Sequence, residues 1–389
     1  MTNAPILVLN SGSSSLKFGL YSESEGGEAV ILDGLAQSLG RTDGTLEVKD
    51  AHGEVVHSER SGALTSAQAL QRAAGLLAKF HPGDPQIIGH RVVHGGPRLI
   101  EHQPITTEVL EELKRCVHLA PLHIPPALEL IDAVRKRYPN VPQFACFDTA
   151  FHRTMPERAA RFALPRELYD EGVRRYGFHG LSYESIVYQL RGRVPERMVI
   201  AHLGNGASLA ALKNGASVDT TMGLTPSGGI PMATRTGDID PGVLIYLQRA
   251  KKWDADTIER VVNRESGLFA LSGGKSDMRE IQKAAAGDAN AQLAFEVFCL
   301  AIAKVVAAYA AELGGLDALV FSGGIGEHSA PVRANVCTSL AFLGVVIDAA
   351  SNEKNAPVIS ANQSKIRVSV IPAQEDLQIT RHCRAWLTR

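Results

Sequence analysis

The chain has 389 residues, with 40 Lys and Arg against 41 Asp and Glu and a formal net charge of −1. This balance provides no basic field for nucleic acid or an anionic membrane, so small molecules are the expected partners. The length predicts two domains. Five cysteines without a C-x-x-C pair, and a start "MTNAPILVLN" unlike a signal peptide, lead us to expect a cytoplasmic protein with free thiols.

The first pattern along the chain is an apolar run, "PILVL", followed by "NSGSSSLKF". Apolar residues on both sides of a Gly and Ser cluster predict a strand, a tight turn and a second strand. Backbone N–H groups and hydroxyls at such a turn form a plausible seat for phosphate oxygens. An ordinary polar hairpin is the alternative at this point.

The segment "GHRVVHGG" places His90 and His94 four residues apart. The flanking glycines and the Val pair favour a strand, so a metal site is not favoured there. Arg91 carries a permanently charged fork that suits a carboxylate or a phosphate, with a structural salt bridge as the alternative. Asp148 follows a short apolar strand, where α/β proteins often collect ligand contacts, although it could also cap a turn.

Pro-rich irregular sequence after Asp148 predicts a domain boundary near residue 150. We predict a first domain over 1–150, completed by a C-terminal helix over 376–389, and a second domain over 151–375. The second half repeats the strand, turn and strand pattern in "RMVIAHLGNGASLAALKNG", about half the chain after the first. Two halves built on one plan are therefore expected.

Later segments add further candidates. "YGFHG" contains His179, with a buried core histidine as the alternative, and the polar loop "PMATRTGDIDPG" is expected to expose Arg235. "SGGKS" is not a P-loop, because Phe269 stands where the first Gly is needed. The apolar helical pattern over 288–313 contains Lys304 and Glu312, which favours a buried helix over a membrane span. Arginines, a histidine, carboxylates and Gly-rich turns together indicate phosphoryl transfer.

Nine segments in this order span the chain: "LVLNSGSSSLKF", "GHRVVHGG", "LAPLH", "FDTAFH", "YGFHG", "HLGNGAS", "TRTGDIDPG", "FSGGIGEHS" and "QEDL". This set closely resembles the acetate kinase family of the acetate and sugar kinase, Hsp70 and actin superfamily. The resemblance implies an α/β fold of two related ribonuclease-H-like (actin-like ATPase) domains with the active site in a cleft between them. It also implies Mg²⁺-dependent (or Mn²⁺-dependent) reversible phosphoryl transfer between ATP and acetate, and a homodimer.

The resemblance also implies roles for residues that match the family's motifs. The catalytic candidates are Asp148, His179 and Arg235. Arg91 is expected to bind the substrate carboxylate, and an apolar pocket for its methyl group is expected from Val93, Leu122, Phe178 and Pro226. Asn10 and Glu375 are expected to hold the metal. The expected ATP contacts are Lys17, His202, Leu203, Gly204, Asn205, Gly206, Asp277, Met278, Arg279, Gly324, Ile325, Gly326, Glu327 and His328.

Three segments depart from the family pattern. Ile124 replaces the Asn expected after "PLH", "TPSGG" replaces "TPLEG", and His328 replaces the Asn of "GIGEN". The first two changes lie near the expected acyl pocket, so a propionate or other short-chain fatty acid kinase is the alternative. The third change lies near the expected nucleoside site, so it leaves the preference for ATP over other nucleotides open. A non-catalytic, nucleotide-switched Hsp70-like protein is a second alternative of a different class.

Overall fold

The computed structural model describes residues 4–12, 15–24, 27–121 and 123–389. Its internal contacts divide the chain into two compact units. The first unit comprises Met1–Ala150, Gly180–Ser185 and Gln374–Arg389, and the second comprises Phe151–His179 and Ile186–Ala373. The sequence did not predict that the short segment Gly180–Ser185 groups with the first unit.

The described residues of the first unit form one sheet with the strand order β5-β4-β3-β2-β1-β6-β8-β7. Strands β1 to β5 are antiparallel neighbours, whereas β1, β6 and β8 run parallel to one another and β7 is antiparallel to β8. The strands are β1 (Ile6–Ser11), β2 (Leu16–Ser24), β3 (Gly27–Gln37), β4 (Thr45–Asp50), β5 (Val55–Arg60), β6 (Ile87–Val92), β7 (Gln103–Pro104) and β8 (Gln143–Phe147).

The second unit contains a smaller sheet with the order β11-β10-β9-β12-β13. Strands β9, β10 and β11 are antiparallel neighbours, and β12 and β13 run parallel to β9. These strands are β9 (Arg197–Leu203), β10 (Ala207–Lys213), β11 (Ala216–Thr220), β12 (Ala318–Ser322) and β13 (Arg367–Val370).

Helices connect and cover the two sheets, and α6 begins in the first unit and ends in the second. In chain order they are α1 (Ser66–Phe80), α2 (Thr107–Arg115), α3 (Ile124–Arg137), α4 (Glu157–Ala160), α5 (Arg166–Asp170), α6 (Gly180–Gln189), α7 (Pro241–Ala250), α8 (Ala255–Arg264), α9 (Gly267–Leu271), α10 (Met278–Ala284), α11 (Ala289–Leu313), α12 (Gly323–His328), α13 (Ala330–Ser339), α14 (Ala349–Glu353) and α15 (Glu375–Leu387).

Alternation along β1 explains how the first sheet is covered on both faces. Leu7 and Leu9 belong to a core cluster that includes residues of α1 and α3. Ile6 and Val8 point the other way, into a second cluster with Ile379 and other residues of α15. Because neighbouring side chains of a strand face opposite sides, a continuous apolar run needs a helix layer on each face. The C-terminal helix provides one of these layers.

The two sheets share one core arrangement. In the first, β3-β2-β1-β6-β8 are consecutive neighbours, and in the second the equivalent order is β11-β10-β9-β12-β13. In both, three antiparallel strands are followed by two strands parallel to the first. This shared ribonuclease-H-like order confirms the predicted fold class and the predicted repetition of one plan.

The apolar helix predicted over 288–313 is α11. By length and composition it is the one helix among the described residues that is long and apolar enough to cross a membrane, which is weak evidence because core helices pass the same test. It packs against β9, β10, α10 and α13 within the second unit. Phe298, Ile302 and Val306 are fully buried along it. These contacts are those of a core helix. All five cysteines are free and buried.

Candidate active site

In the first unit, three predicted residues meet where parallel strands end. Arg91 lies near the end of β6, beside Asn10 on β1, and Asp148 directly follows β8. The Arg91 guanidinium donates from Nη2 to Asp148 Oδ2 at 2.7 Å and from Nε to the same oxygen at 3.0 Å. Its Nη1 donates to Asn10 Oδ1 at 3.1 Å. The carboxyl edge of the parallel strands therefore carries a connected polar cluster, where open α/β sheets usually bind ligands.

Burial governs the electrostatics of this pair. The Asp148 side chain is 1% exposed and that of Arg91 is 16% exposed. Burial raises the pKa of Asp148 to about 6, although the charge and hydrogen bonds of Arg91 act in the opposite direction. Asp148 is thus ionised at neutral pH and holds Arg91 through two donors, which fixes the guanidinium plane. This contact makes Asp148 the partner that orients Arg91.

Asp376, in the first turn of α15, connects two further predicted residues. Its Oδ1 accepts from Asn10 Nδ2 at 3.1 Å, and its Oδ2 lies 2.7 Å from Lys17 Nζ. Tyr21 also donates a hydroxyl hydrogen bond to Asp376 at 3.5 Å. The Asp376 carboxylate therefore holds Lys17 on β2 close to Asn10. The motif "QEDL" contains Asp376, for which the sequence predicted no role.

The two residues expected to hold a metal lie side by side. Asn10 Nδ2 is 3.2 Å from Glu375 Oε2, and Glu375 begins α15. Carboxylate and amide oxygens are the ligands that Mg²⁺ prefers, so the two residue types suit the ion, but Asn10 turns its Nδ2 rather than its Oδ1 toward Glu375. Asn10 Oδ1 accepts from Arg91 in the structure, which links this pair to the arginine cluster.

In the second unit, His179 occupies a left-handed backbone conformation. Its φ and ψ are 58° and 24°, and it directly precedes α6. Such a conformation is unusual for a residue other than glycine and is maintained by its surroundings. Its Nδ1 lies 2.8 Å from Ser208 Oγ on β10, and its ring stacks on His202 with centroids 4.3 Å apart. The side chain is therefore fixed in orientation.

Arg235 and His179 meet at Gly206. A Cβ atom built on Gly206 would lie 3.3 Å from His179 Nε2 and 3.4 Å from Arg235 Nη1. A Cβ at this position would be a tight contact for both side chains, which would have to move by a few tenths of an ångström. Arg235 Nη1 also donates to the carbonyl of Pro226 at 3.0 Å. The structure thus brings together three of the predicted site residues of this unit.

The Gly-rich loops of this unit are fixed by backbone contacts. The turn between β9 and β10 closes with Gly204 N–H donating to Gly206 carbonyl at 3.1 Å, and Ala233 N–H donates to Asn205 carbonyl at 3.2 Å. After β12, Gly323 has a φ of +74°, and a Cβ there would lie 2.7 Å from the Leu203 carbonyl oxygen. Only glycine fits that position. The two loops therefore run against each other.

The remaining ATP candidates take several structural roles. Glu327 Oε1 accepts from the N–H groups of Gly323 and Ala373 at 2.9 and 3.0 Å, so its carboxylate is used within the fold. Asp277 caps α10 and pairs with Arg279, whose side chain is 90% exposed. Met278 is 3% exposed, so its side chain lies in the core. Among the remaining candidates, Leu203 and Gly326 are buried. The others are exposed or half-buried: His202, Gly204, Asn205, Gly324, Ile325 and His328.

Comparison with known proteins gives a consistent result. The sequence model of the acetokinase family matches residues 5–381. The chain belongs to the acetokinase family. The acetate kinase of Methylocella silvestris is 46% identical over 398 residues and covers 98% of each chain.

Solved structures are similar over almost the whole chain. Acetate kinase of Porphyromonas gingivalis has a TM-score of 0.87 and 39% identity, covering 99% of this chain and 100% of that one. A propionate kinase from Francisella tularensis has a TM-score of 0.91 and 38% identity, with coverages of 97% and 98%. These similarities confirm the family that the sequence motifs resemble. They give no support to the Hsp70-like alternative.

The acyl pocket of this acetokinase stays a prediction. Leu122 lies outside the described residues, and so do Ser13 and Ser14 of the first phosphate turn. Val93 is half-buried in the first unit, and Phe178 and Pro226 are buried in the second. Ile124, which departs from the family pattern, is a buried residue of α3.

Sequence reasoning missed several residues that hold the predicted ones. Ser208 orients His179, and Asp376 holds Lys17. His102, Glu184 and His382 form a cluster behind β8 that no motif indicated. Asp376 carries a recognisable signal, because an acidic pair opens α15 beside the predicted metal ligand. The other residues are scattered along the chain and only the fold brings them into contact.

Proposed function

We propose that this acetokinase transfers the γ-phosphoryl group of ATP to the carboxylate of acetate, forming acetyl phosphate and ADP, and that it also catalyses the reverse reaction. A carboxylate oxygen of acetate bonds to the γ-phosphorus while the bond from that phosphorus to the β,γ-bridging oxygen breaks and ADP leaves. The observation that carries the proposal is Arg91, which Asp148 fixes through two hydrogen bonds at the carboxyl edge of the sheet. A fixed guanidinium suits a carboxylate or phosphate ligand.

The residues of the second unit suit the transferring group. Arg235 and the His179 imidazole meet at Gly206, next to a Gly-rich turn. Phosphoryl transfer is catalysed mainly by positioning and by neutralising charge on the equatorial oxygens. Arg235 supplies the positive charge, and His179, which Ser208 holds through Nδ1, presents Nε2 beside Gly206. Lys17 and the loops over 202–206, 277–279 and 324–328 are proposed to bind ATP.

Asp148 is proposed to orient Arg91, and Mg²⁺ or its water shell, rather than to take a proton. A small aliphatic acid titrates near a pKa of about 4.3 and is already a carboxylate at neutral pH. The attacking oxygen of acetate therefore has no proton to lose. The contacts of Asp148 with Arg91 support an orienting role, in which the carboxylate keeps the guanidinium aligned.

Mg²⁺, or Mn²⁺ in its place, is proposed to bind at Asn10 and Glu375. The ion supplies charge neutralisation at the phosphate oxygens of ATP. In this chain, Asn10 also accepts from Arg91, and Asp376 beside Glu375 holds Lys17. The proposed metal ligands and Arg91 are thus parts of one hydrogen-bonded cluster.

We also propose that the protein is a homodimer. Helix α7 contains no buried residue, and its exposed apolar side chains Val243, Ile245 and Tyr246 are 44%, 47% and 58% exposed, next to Ile239 at 38%. Four large apolar side chains left exposed within eight residues favour a protein contact. Sedimentation should show one species of twice the chain mass, and Tyr246→Glu should shift it toward the monomer.

Propionate is the second candidate substrate, because a propionate kinase is among the solved structures of similar fold. One extra methylene changes binding in an apolar pocket by only about 1–3 kcal/mol. We expect acetate and propionate both to be used and butyrate to be used poorly. Comparable specificity constants for all three acids would contradict this expectation.

The test is to trap acyl phosphate as the hydroxamate after incubation with ATP, Mg²⁺ and each acid in turn. We expect hydroxamate with acetate that depends on both ATP and enzyme. The exposed-residue variant Arg135→Ala should behave like the wild type and serves as a preparation control. ATP hydrolysis without any acyl phosphate would instead favour a nucleotide-driven switch.

A further inference from the structure

Three side chains from distant parts of the chain are in contact with one another next to β8 in the first unit. His102 precedes β7, Glu184 lies on α6 and His382 lies on α15. His102 Nε2 lies 3.1 and 3.2 Å from the two Glu184 oxygens, and His382 Nε2 lies 2.7 Å from Glu184 Oε2. The centroids of the two imidazole rings are 4.1 Å apart. These three residues are named the His102 cluster below.

The contacts of His102 determine which of its nitrogens carries the proton. The backbone N–H of Phe147 donates to His102 Nδ1 at 3.0 Å. A backbone amide is always a donor, so Nδ1 must present a lone pair, and the proton of the neutral ring lies on Nε2. That proton is donated to Glu184. His102 therefore joins a carboxylate on one side to the backbone of β8 on the other.

The same assignment argues against a metal centre in this cluster. Two histidines and a carboxylate at these distances resemble a cation site. A metal bound at His102 Nε2 would require the proton on Nδ1, where it would point at the Phe147 N–H group. The ring cannot accept from Phe147 and bind a metal through Nε2 while it remains a neutral imidazole. The contacts of the His102 cluster are those of a hydrogen-bonded network that holds the backbone in place.

Glu184 is ionised within the His102 cluster. Burial alone would raise its pKa, but the hydrogen bonds from His102 and His382 lower it to about 2. Gln378 also lies 3.1 Å from His382 Nε2. Glu184 is therefore ionised over the neutral range and available as the acceptor for both rings.

The cluster holds the backbone on both sides of the Asp148 side chain. His102 accepts from Phe147, the residue immediately before Asp148. The carbonyl of Asp148 accepts from Gly180 N–H at 2.9 Å, and Gly180 begins the helix that carries Glu184. Asp148 N–H in turn donates to the Val92 carbonyl at 3.0 Å. The Asp148 backbone is thus connected to Glu184 by two routes.

We propose that His102, Glu184 and His382 are positioning residues that fix Asp148, and through it Arg91, for the carboxylate substrate. This inference rests on the proposed function, in which Arg91 binds that substrate. A guanidinium displaced by about 1 Å can cost about 10²-fold in rate. The cluster should therefore affect use of acetate much more than binding of ATP.

Two substitutions at one position separate the two contacts of His102. In His102→Asn the side-chain amide oxygen reaches the place of Nδ1, so the acceptor for Phe147 is kept. In His102→Gln the amide reaches the place of Nε2, so the contact with Glu184 is kept and the acceptor for Phe147 is lost. We expect His102→Gln to lower kcat/KM for acetate by about 10²-fold. His102→Asn should lower it by about tenfold at most.

Further measurements keep the inference testable if one variant folds poorly. Glu184→Gln presents a donor to one of the two rings and should lower kcat/KM for acetate in the same direction. In each folded variant, KM for ATP should stay within about twofold of wild type, whereas general damage to the fold would move both substrates. His52→Gln, at an exposed turn, is the matched control. Nitrogen NMR of ¹⁵N-histidine-labelled wild type should show His102 protonated at Nε2 only.

Several outcomes would overturn the inference. Equal effects of His102→Gln and His102→Asn, or no effect of His102→Gln in a folded, active protein, would exclude positioning through Phe147. Stoichiometric Zn²⁺ binding by the wild type that both variants abolish would establish a metal centre instead, and a spectrum with the His102 proton on Nδ1 would contradict the contact with Phe147. An inactive wild type contradicts the proposed function itself, whereas an active wild type with an unaffected His102→Gln contradicts only this inference.

Discussion

The two units of this acetokinase share a strand order but place different chemistry at the strand ends. In the first unit, charged side chains are held by carboxylates, as in Arg91 with Asp148 and Lys17 with Asp376. In the second, glycines allow backbone and side chains to approach closely, and Arg235 donates to a backbone carbonyl. The same strand order can therefore carry either a cluster of charged side chains or a Gly-rich loop, depending on the residues at its turns.

The largest expected effect on activity concerns the arginine of the second unit. If Arg235 neutralises the transferring group, Arg235→Ala should lower kcat by about 10²–10³-fold, because losing a charged contact in a closed site removes transition-state stabilisation. KM for acetate should change little. Steady-state kinetics with acetate varied at saturating ATP will check this, with Arg135→Ala as the control. A raised KM for acetate with a normal kcat would instead indicate that Arg235 binds the acetate carboxylate, the role proposed for Arg91.

Asp148→Asn tests the carboxylate of the first unit. We expect kcat/KM for acetate to fall by about 10²-fold, because Arg91 loses its ionised partner and shifts. We also expect a higher Mg²⁺ requirement. In the wild type, burial raises the pKa of Asp148 to about 6, so activity should fall as the pH drops through that value and the carboxylate becomes protonated. The variant should lack this acid limb.

Rates of the wild type and of Asp148→Asn measured across the neutral range will decide between two roles for Asp148. Orientation of Arg91 predicts a low rate in the variant that does not depend on pH. A rate that recovers steeply as the pH rises, at an unchanged Mg²⁺ requirement, would indicate that Asp148 acts as a general base.

Arg91→Ala should affect binding more than turnover. We expect KM for acetate to rise by about 10–10²-fold, with a smaller fall in kcat than Arg235→Ala causes. The free energy of unfolding should also fall by about 3–5 kcal/mol, because Asp148 is left buried without its charged partner. Denaturant titration will measure this. The double variant Arg91→Met with Asp148→Leu should regain most of the stability but no activity, which separates the two effects.

The smallest expected effect compares the two carboxylates near Lys17. Asp376 is buried and 2.7 Å from the Lys17 ammonium, whereas Asp33 is 3.9 Å away and 37% exposed. Asp376→Asn should raise KM for ATP by about tenfold, since a charged hydrogen bond is lost. Asp33→Asn should change it by less than about twofold, because at 3.9 Å that pair is too long for a hydrogen bond. Equal effects would show that Lys17 is not held by Asp376.

The sequence by itself determined the fold class, the repeated plan and the family. Alternating apolar runs, Gly-rich turns and the long helical pattern at α11 are local signals, and each is readable because strand and helix periods differ. Charged residues at strand ends, such as Arg91 and Asp148, were also predictable. They follow apolar runs, and the carboxyl edge of a sheet is where polar side chains can serve a ligand.

Only the tertiary structure decided which side chains touch. Nothing local in the sequence pairs Lys17 with Asp376 or His102 with Glu184 and His382, because these contacts join residues far apart in the chain. The grouping of Gly180–Ser185 with the first unit has the same origin. Local pattern sets strand and helix, whereas pairing of buried polar groups depends on packing of layers and on the cost of leaving a polar group unsatisfied. The acid that orients Arg91 was visible in the sequence, but the contacts that hold its backbone in place were set by the fold.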